Sequence, residues 1–92
     1  MIHSIEEILN VEPYKLTVRF NTEEVRQIDL SEKLNEWGSN PKSKFAELKN
    51  PDTFKKVALE KEFGTIVWEN GLDLCPDFLY NLSQKIKDPN VA

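Results

Sequence analysis

The dipeptide Asn70-Gly71, set between the apolar-rich arms Thr65-Ile66-Val67-Trp68 and Leu72-Asp73-Leu74-Cys75, constrains this chain more than any other feature. Asn-Gly supplies the positive φ angles of a tight reverse turn, so the two arms read as an antiparallel hairpin. A two-residue type I′ loop would pair Glu69 with Leu72, Trp68 with Asp73, Val67 with Leu74 and Ile66 with Cys75. Both faces of that ribbon then carry apolar groups, which places it between layers rather than over one side. Pro76 ends the pairing and opens a helix at its first position, with Phe78, Leu79, Leu82 and Ile86 as its apolar stripe. Residues 87–92 read as a frayed tail.

Upstream, Lys15 to Phe20 alternates strictly, with Leu16, Val18 and Phe20 on one face and Lys15, Thr17 and Arg19 on the other, the period of a half-buried strand. Val25 to Leu30 is its antiparallel partner, and the apolar phase slips between Val25 and Ile28, which predicts a twist or bulge near the loop. Ile5 to Glu12 carries competing signals. Ser4-x-x-Glu7 resembles a capping box and Ile5, Ile8 and Leu9 have helical spacing. The segment is short, however, Asn10 and Val11 disfavour a helix, and Pro13 suits a turn, so a strand is expected.

Ser31 as N-cap, Leu34 and Trp37 three apart, and Gly38 as a stop outline a short helix. Phe45, Ala46 and Leu48 form one helical turn, cut by Asn50-Pro51. Asn50 then caps a further helix with Pro51 at its first position and Phe54, Val57 and Ala58 on its buried face. The fold class is therefore α+β: a small antiparallel β-sheet, made of an N-terminal three-strand meander and a C-terminal Asn-Gly hairpin, packed with two to three short helices. A single domain over residues 1–92 is expected.

Apolar residues make 39% of the chain and charged residues 30%, the balance of a soluble globular domain. No apolar run exceeds three residues, against the roughly 20 a bilayer span needs, and the N-terminus lacks the basic and apolar regions of a secretory signal. Cys75, the one cysteine, has no partner for an internal disulfide, which fits a reducing compartment. A cytoplasmic location without membrane attachment is expected.

Taken together, the motif Gly64-Thr65-Ile66-x-Trp68-x-Asn70-Gly71-x-Asp73-x-x-Pro76-x-x-Leu79-Tyr80 resembles a bacterial family catalogued only as domain of unknown function 2442. Val11-x-Pro13, Tyr14-x-Leu16-x-Val18-x-Phe20, Asp29-Leu30-Ser31 and Phe45-x-x-Leu48-x-x-Pro51-x-x-Phe54-x-x-Val57 fit the same pattern, so the resemblance covers nearly the whole chain. It implies a small α+β domain on an antiparallel sheet. It also implies a gene that neighbours one for another small protein, the basis for suggested toxin–antitoxin pairing, and it assigns no catalytic residue. Two positions depart from the family pattern. The first hairpin commonly turns on Asp-Gly, whereas this chain has Thr22-Glu23, and since glutamate resists positive φ a different or wider loop is expected. Glu69 replaces a proline usual before Asn-Gly, restoring a backbone donor.

The formal net charge is −4, from 12 Lys and Arg against 16 Asp and Glu, which weighs against non-specific attraction to nucleic acid. The charge is unevenly placed. Residues 42–61 hold six lysines against Glu47, Asp52 and Glu60, whereas residues 62–80 hold Glu62, Glu69, Asp73 and Asp77 with no base. Lys42, Lys44, Lys49, Lys55 and Lys56, with Trp37, form the candidate interaction surface, although lysines on short helices ordinarily cover a solvated face.

Cys75, at a helix start, reads first as a small buried hydrophobe facing Ile66. His3, the only histidine, reads as a solvent-exposed side chain and cannot alone supply a nucleophile-activating pair. Asp73 and Asp77 could approach each other across the strand-to-helix junction, yet Asp77 suits the first turn of a helix, and Asp73, opposite Trp68, suits an acceptor for the indole. No phosphate loop, His-x-x-x-His, Cys-x-x-Cys or nucleophile elbow occurs. The expectation is a non-enzymatic interaction module with no cofactor, metal or catalytic residue and with a small protein partner, antitoxin-like in its sharpest form. A homo-oligomer stays open. The alternatives are a nucleic-acid-binding accessory protein using the lysines and, last, a small metal-dependent or hydrolytic enzyme using Asp73, Asp77 or Cys75.

Overall fold

A computed structural model describes residues 3–85 as two small antiparallel sheets and four short helices. The first sheet takes β1 (Ile5–Glu12), β2 (Lys15–Phe20) and β3 (Val25–Asp29), with β7 (Gln84–Lys85) added beyond β3. The second takes β4 (Ala58–Glu60), β5 (Thr65–Val67) and β6 (Asp73–Leu74). Between β3 and β4 lie α1 (Ser31–Trp37), α2 (Lys44–Glu47) and α3 (Pro51–Phe54), and α4 (Pro76–Leu82) joins β6 to β7. The expected α+β class and N-terminal meander stand; the turn expected at Phe45–Leu48 is itself the short helix α2, which makes four helices rather than two to three, and the strands β4 and β7 lie beyond what the sequence pattern foretold.

β1 explains its own mixed signals. Its ladder with β2 shifts register between Ile5 and Glu7 and again between Ile8 and Asn10. Each shift inserts one extra residue, so the partners of Phe20, Val18 and Leu16 are Ile5, Ile8 and Val11. Directly paired residues share a face, and the inward face of β1 therefore recurs every third residue instead of every second. Helical spacing and a strand coexist because two β-bulges change the period. Leu9 sits in the second bulge and is left exposed.

The β2–β3 ladder runs without a shift from Lys15↔Asp29 to Arg19↔Val25. The phase slip between Val25 and Ile28 is thus no bulge within the ladder. Ile28 faces the core opposite Leu16 while Val25 faces outward, and Arg26 takes the inward place opposite Val18. The irregularity lies in the loop: Glu23 N–H donates to the Phe20 carbonyl (2.9 Å), Phe20 N–H donates to the Glu24 carbonyl (3.0 Å), and Glu23 stands at φ 70°. This is a three-residue loop, wider than two as expected, yet it does place a glutamate in the left-handed region.

The Asn70-Gly71 hairpin repeats that geometry. Trp68 N–H donates to the Leu72 carbonyl and Gly71 N–H to the Trp68 carbonyl, both at 2.9 Å, with Gly71 at φ 86°. The loop is therefore three residues rather than the expected two, and the register moves by one, pairing Val67 with Asp73 and Ile66 with Leu74. The Asn70 side chain fixes the choice. Its Oδ1 accepts from Leu72 N–H (3.0 Å) and its Nδ2 donates to the Lys44 carbonyl (3.2 Å) and to Glu47 (2.7 Å), tying the turn to α2.

The matched loops give a direct test, because a β-carbon in the left-handed region costs roughly 1–2 kcal/mol that glycine avoids. Glu23→Gly is expected to raise stability by about 0.5–1 kcal/mol, the gain being reduced by the greater freedom of glycine in the unfolded chain. Urea unfolding checks this, and a loss of stability would mean that the Glu23 side chain contributes contacts outweighing its backbone.

The core joins both sheets and the helices through Ile5, Leu16, Val18, Phe20, Ile28, Leu30, Leu34, Leu48, Phe54, Ile66, Trp68 and Leu79. Phe54 links the halves: its ring lies 5.5 Å from Tyr14 and 5.8 Å from Trp68, and its carbonyl accepts the Trp68 indole N–H at 3.1 Å. The acceptor for the indole is thus not Asp73, which is exposed opposite Val67. At the seam, Ile5 N–H donates to the Gly64 carbonyl at 2.6 Å.

The helices differ in detail from their sequence signals. α1 is entered through Asp29, whose carboxylate accepts from both the backbone N–H (2.9 Å) and the hydroxyl (2.6 Å) of Ser31, so Ser31 is the first helical residue rather than the cap. Asn50 does cap α3, accepting from Asp52 N–H at 2.9 Å. That helix stops at Phe54, which leaves Val57 half-buried in a turn and hands Ala58, exposed, to β4. α4 begins at Pro76 as expected and ends at Leu82, where Ser83 turns extended to enter β7. Ile86 and the expected tail lie outside the described residues.

Candidate functional site

Counting back by two from Ile28 puts Arg26 on the inward face of β3, where a core strand would ordinarily place an apolar residue, and Glu24 next in the same phase just before the strand. The fold meets them with α4. Arg26 Nε donates to the Ser83 hydroxyl (2.6 Å), its Nη2 to the Ser83 carbonyl (3.1 Å) and its Nη1 to Glu24 (2.7 Å). The guanidinium lies 4.2 Å from the Tyr80 ring centre, a cation–π contact, and the Tyr80 hydroxyl donates to Glu24 at 2.6 Å. His3 stacks on the other side of Tyr80 at 3.8 Å, and Asp77 Oδ1 accepts its backbone N–H at 2.8 Å and lies 2.9 Å from its Nδ1. His3 is therefore half-buried and engaged, not the solvent-exposed side chain its position suggested.

An imidazole, a phenol, a hydroxyl and two carboxylates in one cluster are groups from which acid–base catalysis can be built. Here they bind one another. The Ser83 hydroxyl is committed to Arg26 and to the Tyr80 carbonyl (2.6 Å). The arrangement does the work of a latch, fastening α4 and the start of β7 to β3 and closing the open end of the core over Phe20, which Tyr80 meets edge-on at 5.1 Å.

The latch has a pH signature. The Tyr80 hydrogen bond, with help from Arg26 and against partial burial, holds the Glu24 carboxyl below its ordinary 4.5, and the same bond raises the Tyr80 phenol above 10.0. Two hydrogen bonds from Ser31 likewise hold the Asp29 carboxyl below 3.8. A lowered carboxyl contributes stability that is complete above its unfolded value and is lost as pH falls through its folded value. A raised phenol contributes stability that is complete below its unfolded value and is lost as pH rises through its folded one. Stability is expected to decline below pH 4.5 and above pH 10.0, and Glu24→Gln is expected to make both limbs shallower. Urea titrations across that range check this, and an unchanged acid slope in Glu24→Gln would remove Glu24 from the account.

The lysines are placed differently from one another. Lys42, Lys44, Lys49, Lys55 and Lys56 are all exposed, but Lys56 pairs with Glu69 at 3.5 Å. The Lys44 carbonyl is used by Asn70, and that of Lys49 by the Tyr14 hydroxyl. Trp37 is half-buried and braces three helices, with its ring 4.8 Å from Phe45 and 5.7 Å from Phe78 and with Lys33 above it. Cys75, expected to be buried against Ile66, is exposed at the start of α4, because the one-residue register shift gives Leu74 the place opposite Ile66.

What the sequence pattern passed over is the turn Lys61-Glu62-Phe63-Gly64 between β4 and β5. The Phe63 N–H donates to Glu60 at 3.0 Å, Gly64 stands at φ 63°, and the Phe63 ring is left 60% exposed. A groove of about 350 Å³ opens on one side, walled by Ser4, Ile5, Glu6 and Leu59. Another of about 360 Å³ opens on the other side, lined by Phe63, Thr65, Asp73, Leu74, Cys75 and Pro76. Among the described residues, no three His, Cys, Asp or Glu side chains are grouped to hold a metal ion, and no helix is long and apolar enough to cross a membrane.

No curated protein and no solved structure matches the chain. One family profile does, described as a protein of unknown function, and it covers residues 5–85, from the first residue of β1 to the last of β7. The chain thus belongs to the family of domain of unknown function 2442.

Proposed function

We propose that this domain is a non-enzymatic module that binds another protein. The observation that carries the reading is Phe63, 60% exposed on the rim of two grooves. By contrast, the groups best suited to proton transfer, His3, Asp77, Tyr80 and Glu24, are engaged with one another. Holding a phenyl ring in water forgoes roughly 1.5–3 kcal/mol of burial, which a partner covering it recovers, and aromatic residues are enriched where protein interfaces concentrate their energy. Antitoxin-like pairing with a neighbouring small protein is the sharper form of the reading, supported by the family resemblance.

Co-expression with the product of the adjacent gene, followed by sizing chromatography, tests it. Co-elution is expected, and separate elution at micromolar concentration would count against it. The exposed lysines support a weaker second reading, nucleic-acid binding. It requires gel retardation at low salt that weakens on joint Lys55→Glu and Lys56→Glu substitution.

A further inference from the structure

We infer that the groove lined by Phe63, Thr65, Leu74, Cys75 and Pro76 is a docking face for a partner protein segment that presents one large apolar side chain flanked by lysine or arginine. This rests on the protein-binding reading above and adds the face and the chemistry of its occupant.

The volume of about 360 Å³ falls at the small end of the range for sites that enclose a ligand group, which suits one leucine, phenylalanine or tryptophan. Its floor is apolar or already satisfied. Leu74 is half-buried, Pro76 is buried, and the buried Thr65 hydroxyl donates to the Leu74 carbonyl, so the floor is not built for a phosphate or a sugar. Its rim is acidic. Asp73 lines the groove, Glu62 adjoins Phe63, Glu60 accepts the Phe63 N–H, and Glu6 lies in the neighbouring groove, with Lys61 as the base among them.

Some other carboxylates have basic partners, as in Glu7 with Arg19 (2.9 Å), Glu69 with Lys56 (3.5 Å) and Glu24 with Arg26 (2.7 Å). Among the described residues, neither Glu62 nor Asp73 makes an ion pair. An apolar anchor beside the unpaired carboxylates of Asp73 and Glu62 complements a basic flank. A second copy of this chain is a poor occupant, because it would bring the same carboxylates against themselves in a protein of net charge −4.

The test is an amide-resolved NMR titration of the full chain with a synthetic nonapeptide whose central leucine is flanked on each side by two lysines, and with its glutamate-flanked counterpart. The lysine peptide is expected to shift the amides of Phe63, Thr65 and Leu74 and to bind about tenfold or more tightly than the glutamate peptide at low salt. Phe63→Ser and Asp73→Lys, both at exposed positions, should each weaken it about tenfold while leaving thermal unfolding near that of the wild type. Equal binding of both peptides, shifts confined to other surfaces, or no shifts with either would overturn the assignment. Self-association abolished by Phe63→Ser would overturn it too, by giving the face to a second copy. Co-elution with the neighbouring gene product that survives Phe63→Ser would remove this face while leaving the protein-binding reading intact.

Discussion

Trp68→Ala is expected to lower the unfolding free energy by about 3–5 kcal/mol, as large-to-small substitutions of buried aromatics do. A chain of this length commands roughly 5–14 kcal/mol in all, so this one change removes a large part of it and should lower the melting temperature by more than about 12 °C. Trp68 is 2% exposed, its ring packs on Phe54 and its indole N–H satisfies the Phe54 carbonyl. The cost therefore combines a cavity with an orphaned acceptor. Trp68→Phe separates the two, since it keeps most of the ring burial and deletes the donor, and about 1–3 kcal/mol is expected for it. Calorimetry on both variants decides the matter, and a near-normal melting temperature in Trp68→Ala would show that Trp68 is not part of the bridge between the two sheets.

Gly64→Ala is the second large effect, expected at about 2–5 kcal/mol from two additive causes. A side chain at φ 63° carries roughly 1–2 kcal/mol of left-handed strain. The new β-carbon would also overlap the Ser4 β-carbon, which must be relieved by moving backbone, at about 1–3 kcal/mol. The movement falls on the seam, where Ile5 N–H reaches the Gly64 carbonyl. Pairing Gly64→Ala with Ser4→Gly removes the worst of the overlap, leaving a 3.3 Å approach to the residue 4 Cα, and does not touch the strain. The double variant should therefore recover the steric part relative to the Gly64→Ala single variant, after correction for Ser4→Gly alone. Failure to recover any of it would mean that the glycine is needed for its backbone angle only.

Elements built on an unbroken local period were legible in the sequence. β2 alternates from Lys15 to Phe20 and appears with those limits, and Asn50-Pro51 and Cys75-Pro76 start α3 and α4 where proline geometry requires. The errors come from choices that only tertiary contacts make. Asn70-Gly71 is compatible with a two- or a three-residue loop, and the bonds from Asn70 to α2 select the latter. Ala58 to Glu60 is too short to announce a strand, and exists because β5 offers it an edge. The polar latch was illegible for a related reason: Arg26 and Ser83 are 57 residues apart, and neither residue alone implies the other. Phe63 escaped notice because a lone aromatic between Glu62 and Gly64 has no periodicity to read.

The two extra residues in β1 reach beyond its own packing. Among the described residues that strand is a margin of its sheet, with β2 as its ladder neighbour, and a margin with an even spacing of amide groups invites an incoming chain to zip onto it. The offsets at Glu6 and Leu9 cut the available ladder into pieces too short to hold such an intruder, which protects the fold against end-on stacking into fibrils. At this margin, then, a companion has side chains to recognise and no continuous backbone ladder to extend.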